Sequence, residues 1–260
     1  MKITLIQTAP VWGNPAASRS AAEALLERAD AGTDLIVFPE MFSTGFISEP
    51  EGVAEPGGGD TLPWMRRVAA ERDCAVAGSV AVDAGGRFVN RFFFVFPDGT
   101  VRHYDKRHLF SYGSEHLHFT AGEERVVVSW RGVRILLQVC YDLRFPVFAR
   151  NRAVDGGADY DLILYVASWP TARIGAWDIL LRARAIENQC YVAGVNRVGN
   201  DPLNRYCGHS AAIGPMGDVL GPCREGEEDV VNAVLDMEAL KAFRRRFPVL
   251  KDADPFCAGR

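Results

Sequence analysis

The sequence lacks a long apolar run, an extended basic stretch and any closely spaced pair of cysteines. No apolar run approaches the roughly 20 residues of a membrane-spanning helix, so we expect no membrane partner. The 29 Lys and Arg residues are outnumbered by 33 Asp and Glu residues, and the formal net charge is −4. The densest basic segment, residues 244–246, has the position of a helix end, where cations oppose the helix dipole. We therefore expect no nucleic-acid partner.

No two of the six cysteines have the C-x-x-C spacing that is typical of structural zinc sites. The amino-terminal apolar run breaks at Gln7 and is shorter than the about 7–15 residues of a secretory signal, so we predict a first strand at residues 3–7. A cytoplasmic protein with reduced thiols is the expectation. The cysteines are Cys74, Cys140, Cys190, Cys207, Cys223 and Cys257.

Four of the five histidines lie close together in the sequence, at His103, His108, His116 and His118. The His116-x-His118 pair resembles a pair of metal ligands. No carboxylate or cysteine around the four histidines has the spacing of a metal site, so we expect no bound metal.

Short apolar runs alternate with amphipathic segments along the chain. Asn14 and Pro15 supply an N-cap and a first-turn proline for a helix that ends near Gly32. Residues 34–38 form a continuous apolar run, as in a strand buried on both faces. Further helices are predicted after Thr61, Pro146, Thr171 and Asp236, and further strands at 74–82, 88–96, 101–104, 126–130, 133–139, 162–167, 190–195, 209–213 and 230–235.

This mixture of strands and helices predicts a layered α/β fold. Two sheets packed face to face, with helices outside, would suit so many strands, although periodicity alone does not fix that arrangement. The 260 residues allow one large domain as well as two.

Three reactive side chains stand just past three apolar runs. Glu40 follows the run 35–39, Lys106 follows the strand through Tyr104, and Cys140 follows the run 135–139. Taken singly, a glutamate in such a position is usually a solvated turn residue, a lysine is usually on the surface, and a cysteine is usually a small core residue. Because ligand sites in α/β sheets gather beyond the carboxyl ends of strands, we expect the three side chains to meet at one rim.

Their chemistry is complementary and points to amide hydrolysis. A cysteine thiol, with a pKa of about 8.5, needs a base to become a nucleophile at neutral pH. Glu40 is the candidate base and Cys140 the candidate nucleophile. Lys106 and the Tyr141 N–H are the candidate donors to the oxyanion of the tetrahedral intermediate.

The segments that carry these residues resemble the three signatures of the nitrilase (carbon–nitrogen hydrolase) superfamily. They read FPEMFSTGF at 38–46, YDKRHLF at 104–110 and VCYDLRFP at 139–146, in the family order Glu, Lys, Cys. The stretches 167–170 and 183–189 also look like those that follow the cysteine in the family. The resemblance therefore covers most of the chain.

This resemblance implies a four-layer α-β-β-α sandwich, with residues 1–260 forming a single domain. Family members commonly dimerise into eight layers, so a homodimer is expected. They use no metal and no organic cofactor, and they act through a cysteine thioester.

The resemblance also assigns supporting residues. Many members carry a second glutamate between the lysine and the cysteine, and Glu115 is the best match, with a role in positioning Lys106 and the substrate. Glu123 and Glu124 compete for this role, and Glu115 as a plain surface charge is the alternative. Asp142 and Arg144 match the motif beside the nucleophile, and we assign them a supporting ion-pair role.

Within the superfamily the motifs look closest to ω-amidases, which hydrolyse 2-oxoglutaramate and 2-oxosuccinamate to dicarboxylates and ammonia. Such substrates carry a carboxylate far from the amide, and Arg173 is the candidate to hold it. An exposed first-turn arginine is the alternative. Phe42, Tyr141 and Trp169 are candidate apolar walls, or else core residues.

Three rival hypotheses stay open at the level of sequence. One is another amidase of the superfamily, such as an N-carbamoyl-amino-acid hydrolase or a deaminated-glutathione amidase. A nitrile substrate is disfavoured, because true nitrilases favour a Cys-Trp pair at the position where this chain has Cys140-Tyr141. The others are a non-catalytic homologue that binds small amides and a disulfide-stabilised secreted binding protein.

Overall fold

The computed structural model describes residues 1–154 and 157–254, so the thiol of Cys257 lies outside the described residues. Within these residues the α-helices are α1 (Pro15–Leu26), α2 (Thr61–Arg72), α3 (Glu115–His118), α4 (Pro146–Ala149), α5 (Ile174–Asn188) and α6 (Met237–Arg246). The strands are β1 (Lys2–Gln7), β2 (Leu35–Val37), β3 (Glu55–Pro56), β4 (Ala75–Asp83), β5 (Phe88–Val95), β6 (Val101–Asp105), β7 (Val127–Trp130), β8 (Val133–Val139), β9 (Ala153–Val154), β10 (Gly157–Ala158), β11 (Leu162–Ala167), β12 (Tyr191–Asn196), β13 (Val198–Asn200), β14 (Arg205–Cys207), β15 (Ala211–Ile213), β16 (Val219–Pro222) and β17 (Asp229–Val234).

The strands form two large sheets. The first sheet has the order β17-β1-β2-β4-β5-β6, with β3 beside β4. The second has the order β16-β15-β12-β11-β8-β7. The pairs β9/β10 and β13/β14 form small separate hairpins.

The two sheets pack face to face, and the alternation of side chains along each strand explains why. In β1, Leu5 points into a core shared with Leu137 and Leu164 of the second sheet. Its neighbour Ile6 points the other way and packs with Leu25 of α1 in an outer layer. Because both faces are covered, the strands read as continuous apolar runs. The predicted α-β-β-α sandwich is confirmed.

Strand direction brings the predicted site residues to one edge. In the first sheet β2 is parallel to β4, and two antiparallel steps through β5 give β6 the same direction. In the second sheet β8, β11 and β12 are parallel. The carboxyl ends of β2 and β6 therefore share an edge of one sheet, and those of β8 and β11 share an edge of the other.

Local differences from the sequence-based expectations lie at short elements. The helix after Pro146 has only four residues, and the helix after Thr171 begins as a 3-10 turn, Thr171–Arg173, before α5. The basic end of α6 is tied to the body by Arg244, which contacts the Asp161 carboxylate at 2.6 Å. Within residues 1–154 and 157–254, no helix is both long enough and apolar enough to cross a bilayer.

Candidate active site

The predicted acidic and basic side chains meet in a fully buried cluster. Lys106 Nζ donates to Glu40 Oε1 at 2.8 Å and to Glu115 Oε2 at 2.8 Å. None of the three side chains is exposed to solvent. Burying charges is costly unless each is paired and hydrogen-bonded, and here one ammonium serves two carboxylates. Glu115 is therefore no surface charge.

Backbone and amide donors satisfy the remaining carboxylate oxygens. Asn90 Nδ2 donates to Glu40 at 2.8 Å and to Glu115 at 3.1 Å, so one amide bridges both acids. The Phe110 N–H donates to Glu115 Oε2 at 2.6 Å, and the Ser168 N–H donates to Glu40 Oε2 at 2.8 Å. Every carboxylate oxygen of Glu40 and Glu115 therefore accepts at least one hydrogen bond.

Electrostatics bind this cluster together. Burial alone would lower the pKa of Lys106, but the charges of Glu115 and Glu40 outweigh burial and raise it above its ordinary value. Burial raises the pKa of Glu115, the ammonium of Lys106 opposes that rise, and the charge of Glu40 adds to it. The raised pKa favours the ammonium form of Lys106, so it suits the role of a fixed cation and not that of a general acid or base.

Cys140 lies beside this cluster, at the start of a strained turn. It is the first residue of the 3-10 turn Cys140–Arg144 that follows β8, and its φ is +45°. A non-glycine residue in the left-handed region costs on the order of 1–3 kcal/mol and persists only where its surroundings impose it. Cys140 is buried but retains 9 % of its exposure as a residue, and it lines a cavity.

The surroundings of Cys140 disfavour its thiolate form. Burial, and then the charge of Glu40 and a hydrogen bond to that carboxylate, raise the pKa of the thiol well above its usual value. Lys106 and the Ser168 N–H oppose this rise. A thiol held against a carboxylate is arranged to pass its proton to that carboxylate at the moment of attack.

Asp142 fixes this turn, but it does not pair with Arg144 as expected. One Asp142 oxygen accepts from the Val139 N–H at 2.8 Å and from the Tyr104 hydroxyl at 2.8 Å. The other contacts His108, at 3.1 Å from its backbone N and 2.7 Å from Nδ1. The predicted ion pair is wrong because the Asp142 carboxylate faces Tyr104 and His108 at the end of β6, whereas the Arg144 guanidinium lies against the Trp169 ring.

A cavity of about 350 Å³ is lined in part by Cys140. Trp169 and Tyr141 line it, as expected for apolar walls, and Arg173 and Arg144 also line it. The guanidinium carbon of Arg144 lies 4.9 Å from the centre of the Trp169 ring. That of Arg173 lies 5.4 Å from the Phe110 ring centre and 5.7 Å from that of Tyr112. The cavity therefore combines aromatic walls with two cations.

Phe42 does not line this cavity, contrary to expectation. Its ring stacks on Phe38 at 4.8 Å and contacts Trp64 at 5.9 Å, in the layer between the first sheet and α2. Phe46, four residues further along the same loop, lines the cavity instead. The motif predicted the correct loop but the wrong aromatic side chain as the cavity wall.

Two of the four histidines that lie close together in the sequence contact other side chains of the protein. The His108 ring contacts Asp142 and stacks on Phe145 at 4.0 Å, and His118 faces Glu51 at 3.5 Å. Among the residues the structure describes, the one group of three possible metal ligands contains none of these four histidines.

A thiol beside a buried carboxylate–ammonium pair, at the shared edge of two sheets, has the chemistry of a hydrolase with a cysteine nucleophile. The chain belongs to the carbon–nitrogen hydrolase family, which matches residues 2–245. The resemblance on the three motifs is thereby confirmed, and the chain is an enzyme of this family rather than a non-catalytic homologue.

Comparisons with individual proteins agree. The chain is 47 % identical to omega-amidase YafV of Escherichia coli (strain K12) over 257 residues, which are 98 % of each chain. It is 34 % identical to 2-oxoglutaramate amidase of Bacillus subtilis (strain 168) over 255 residues, 96 % of each. The structure of XC1258 from Xanthomonas campestris, a superfamily protein with an arsenic adduct in its active site, superposes with a TM-score of 0.96 at 46 % identity, covering 100 % of this chain and 99 % of that one.

Proposed function

We propose that this protein hydrolyses the terminal amide of a small ω-amido acid, such as 2-oxoglutaramate or 2-oxosuccinamate, to the dicarboxylate and ammonia. The observation that carries the proposal is that the cavity holding Cys140 also presents the guanidinium groups of Arg144 and Arg173. An amide substrate with a distant carboxylate matches that combination. The similarity to an omega-amidase and a 2-oxoglutaramate amidase supports the same substrate class.

In the proposed first half-reaction, the Cys140 sulfur attacks the amide carbon while its proton passes to Glu40. Negative charge then develops on the former carbonyl oxygen, where Lys106 Nζ and the Tyr141 N–H donate. The Tyr141 amide suits this role because it lies in the first turn of a 3-10 helix, whose leading amides have no partner within the helix. Glu40 returns the proton to the leaving nitrogen, which departs as ammonia and leaves a thioester on Cys140.

In the second half-reaction Glu40 takes a proton from water, which attacks the thioester carbon. The second tetrahedral intermediate uses the same oxyanion donors, and its collapse returns the proton to the Cys140 sulfur and releases the dicarboxylate. Glu115 keeps Lys106 in place through the 2.8 Å contact and does not exchange protons itself. The chemistry draws only on these groups and needs no cofactor.

The substrate carboxylate is the feature by which we test the proposal. Replacing Arg173 or Arg144 by alanine should raise KM for 2-oxoglutaramate by about 10-fold or more, because each replacement removes a charge-assisted hydrogen bond. Hydrolysis of pentanamide, a neutral amide of the same chain length, should change far less. Steady-state kinetics on both substrates measures the difference.

Arg246→Ala is the matched control, since Arg246 is exposed and does not line the cavity. Equal losses on the charged and the neutral amide would mean that the two arginines shape the cavity without holding a carboxylate. Higher kcat/KM on N-carbamoyl amino acids than on 2-oxoglutaramate would favour the rival substrate class.

We further propose that the protein is a single-domain homodimer. On α5, Ile179 and Ile186 are 69 % and 53 % exposed and lie two turns apart on one face, and Val147 of the preceding helix α4 is 54 % exposed. Pairing this outer helical layer with its copy would extend four layers to eight. Analytical ultracentrifugation should give about twice the 28.6 kDa chain mass.

Ile179→Asp should shift that mass to one chain, because a charge in the interface is unpaired on both sides. Leu117→Asp, at an exposed leucine of α3, should leave the dimer intact. A wild-type protein that sediments as a monomer at micromolar concentration would contradict the proposal.

A cytoplasmic location is proposed with the same function. Cys74, Cys140, Cys190, Cys207 and Cys223 are all free thiols, as in a reducing compartment. A disulfide trapped by alkylation in intact cells would contradict this location.

A further inference from the structure

A second cluster of reactive side chains lies apart from the catalytic cavity. The ligand atoms of Cys207, His209 and Glu225 all lie within 4.8 Å of one another. Cys207 is the last residue of β14, His209 sits in the turn before β15, and Glu225 lies in the turn between β16 and β17. Two segments of the chain, residues 207–209 and the turn that holds Glu225, thus converge on one point with a thiol, an imidazole and a carboxylate.

The backbone at this point is held in an unusual conformation. His209 has φ +61°, in the left-handed region that non-glycine residues rarely adopt, and the preceding Gly208 has φ +80°. Asn196 Nδ2 donates to the Gly208 carbonyl at 2.7 Å, and Trp177 Nε1 donates to the His209 carbonyl at 2.9 Å. Strain that is imposed in this way is typical of functional positions, and here it sets His209 beside Cys207.

A fourth residue orients the imidazole ring. The Asp178 carboxylate of α5 lies 3.1 Å and 3.0 Å from His209 Nδ1 through its two oxygens. The other ring nitrogen, Nε2, faces the Glu225 carboxylate at 3.7 Å. A carboxylate on one ring nitrogen that leaves the other free to bind a metal is the usual outer arrangement of metal-binding histidines.

The donor set selects among metals. A thiolate with an imidazole and one carboxylate suits Zn²⁺, whereas Mg²⁺ and Ca²⁺ prefer oxygen ligands alone. Tetrahedral zinc with bonds of about 2.0–2.3 Å holds its ligand atoms about 3.5 Å apart. Glu225 is exposed in a turn, so rotation of its side chain can close the remaining gap.

We propose that Cys207, His209 and Glu225 bind one Zn²⁺ ion, with water as the fourth ligand and Asp178 as the positioning residue. On binding, the Cys207 thiol loses its proton to solvent and the imidazole binds in its neutral form. The adjoining cavity of about 250 Å³ shares no lining residue with the catalytic cavity. The ion therefore joins the end of β14 to the turn between β16 and β17 and takes no part in amide hydrolysis.

The test is metal binding itself, measured on the full-length protein with Zn²⁺ and with Co²⁺. Equilibrium dialysis against Zn²⁺ should give one ion per chain. Co²⁺ in the same place should show the near-ultraviolet charge-transfer absorption of a thiolate ligand. Both measurements are made on the wild type and on a Cys140→Ala background, because the catalytic thiol is itself a potential ligand.

Variants within that background identify the ligands. Cys207→Ser and His209→Gln should abolish stoichiometric zinc binding, and Cys207→Ser should also remove the thiolate absorption. Asp178→Asn should weaken binding by about 10- to 100-fold, as expected for loss of an orienting carboxylate. Glu225→Gln changes an exposed side chain and so leaves folding intact, and its matched control is Glu227→Gln, an acid of the same turn outside the cluster.

One zinc per chain that is lost with Cys207→Ser and weakened by Glu225→Gln but not by Glu227→Gln would support the site. Three outcomes would overturn it: no zinc bound at micromolar concentration, binding that disappears with Cys140 alone, or equal affinities for the Glu225 and Glu227 variants. In each of these cases Cys207, His209 and Glu225 do not form the proposed zinc site.

Discussion

Replacing Cys140 by alanine should lower kcat for 2-oxoglutaramate by at least about 10⁴-fold, since loss of a nucleophile removes the covalent route and leaves only binding and the oxyanion donors. The fold should survive, because Cys140, which is 9 % exposed and lines a cavity, gives way to a smaller apolar residue. Initial rates of ammonia release, normalised to folded protein by circular dichroism, measure the loss.

A second thiol variant separates this effect from general damage. Cys223→Ala removes another buried thiol that lies outside the catalytic cavity, and its kcat should stay near the wild-type value. Rapid quenching followed by mass spectrometry should detect a covalent acyl adduct on the wild type and none on Cys140→Ala. Turnover by the alanine variant within tenfold of the wild type would eliminate Cys140 as the nucleophile.

The parts of this site that were predictable from sequence are those fixed by strand ends. Glu40, Lys106 and Cys140 each stand just past a strand, and strands that run in the same direction carry their carboxyl ends to a common edge. Chemistry then singles these residues out, because a base, an ammonium and a thiol are complementary. The sequence alone therefore predicts that these three side chains lie close together.

The residues missed were those whose role depends on register between strands. Asn90 and Arg91 are the two polar residues of the otherwise apolar strand β5, and the sequence does not say that Asn90 is the buried one or which partner it contacts. The structure shows that it bridges Glu40 and Glu115. Ser168 contributes a backbone N–H, a donor that every non-proline residue has, so its identity carries no signal.

The errors share one physical cause, the direction of side chains on short turns. Phe42 and Phe46 lie on one loop, and a residue of either type suits both a core and a cavity wall. Asp142 and Arg144 are two residues apart on a 3-10 turn with about three residues per turn, so they point in different directions and do not face each other. Sequence proximity suggested an ion pair that the turn geometry forbids.

Replacing Lys106 by methionine should have the second largest effect, on activity and on stability together. Loss of one oxyanion donor should lower kcat by about 10²–10³-fold. Methionine keeps an unbranched chain of similar length, but it leaves Glu40 and Glu115 buried without their cation. Breaking a buried ion pair from one side typically costs about 3–5 kcal/mol in the free energy of unfolding.

The pH dependence of that loss identifies its cause. The charge of Lys106 opposes the rise in the Glu115 pKa that burial produces, so the methionine variant should raise the pKa further from its ordinary value of 4.5. A carboxyl group whose pKa is raised on folding stabilises the fold below its unfolded pKa, and that stability is lost as pH rises through the folded pKa. The deficit relative to the wild type should therefore be smaller at pH 5 than at pH 8, as measured by urea unfolding.

A second substitution then distinguishes electrostatics from packing. Glu115→Gln on the Lys106→Met background removes one of the two uncompensated acids while it keeps a side chain of the same shape. It should recover part of the unfolding free energy at pH 8 and almost none of the activity, since the oxyanion donor is still missing. A deficit that is equal at pH 5 and pH 8, and is not reduced by Glu115→Gln, would mean that Lys106 matters for packing and not as the cation between two acids.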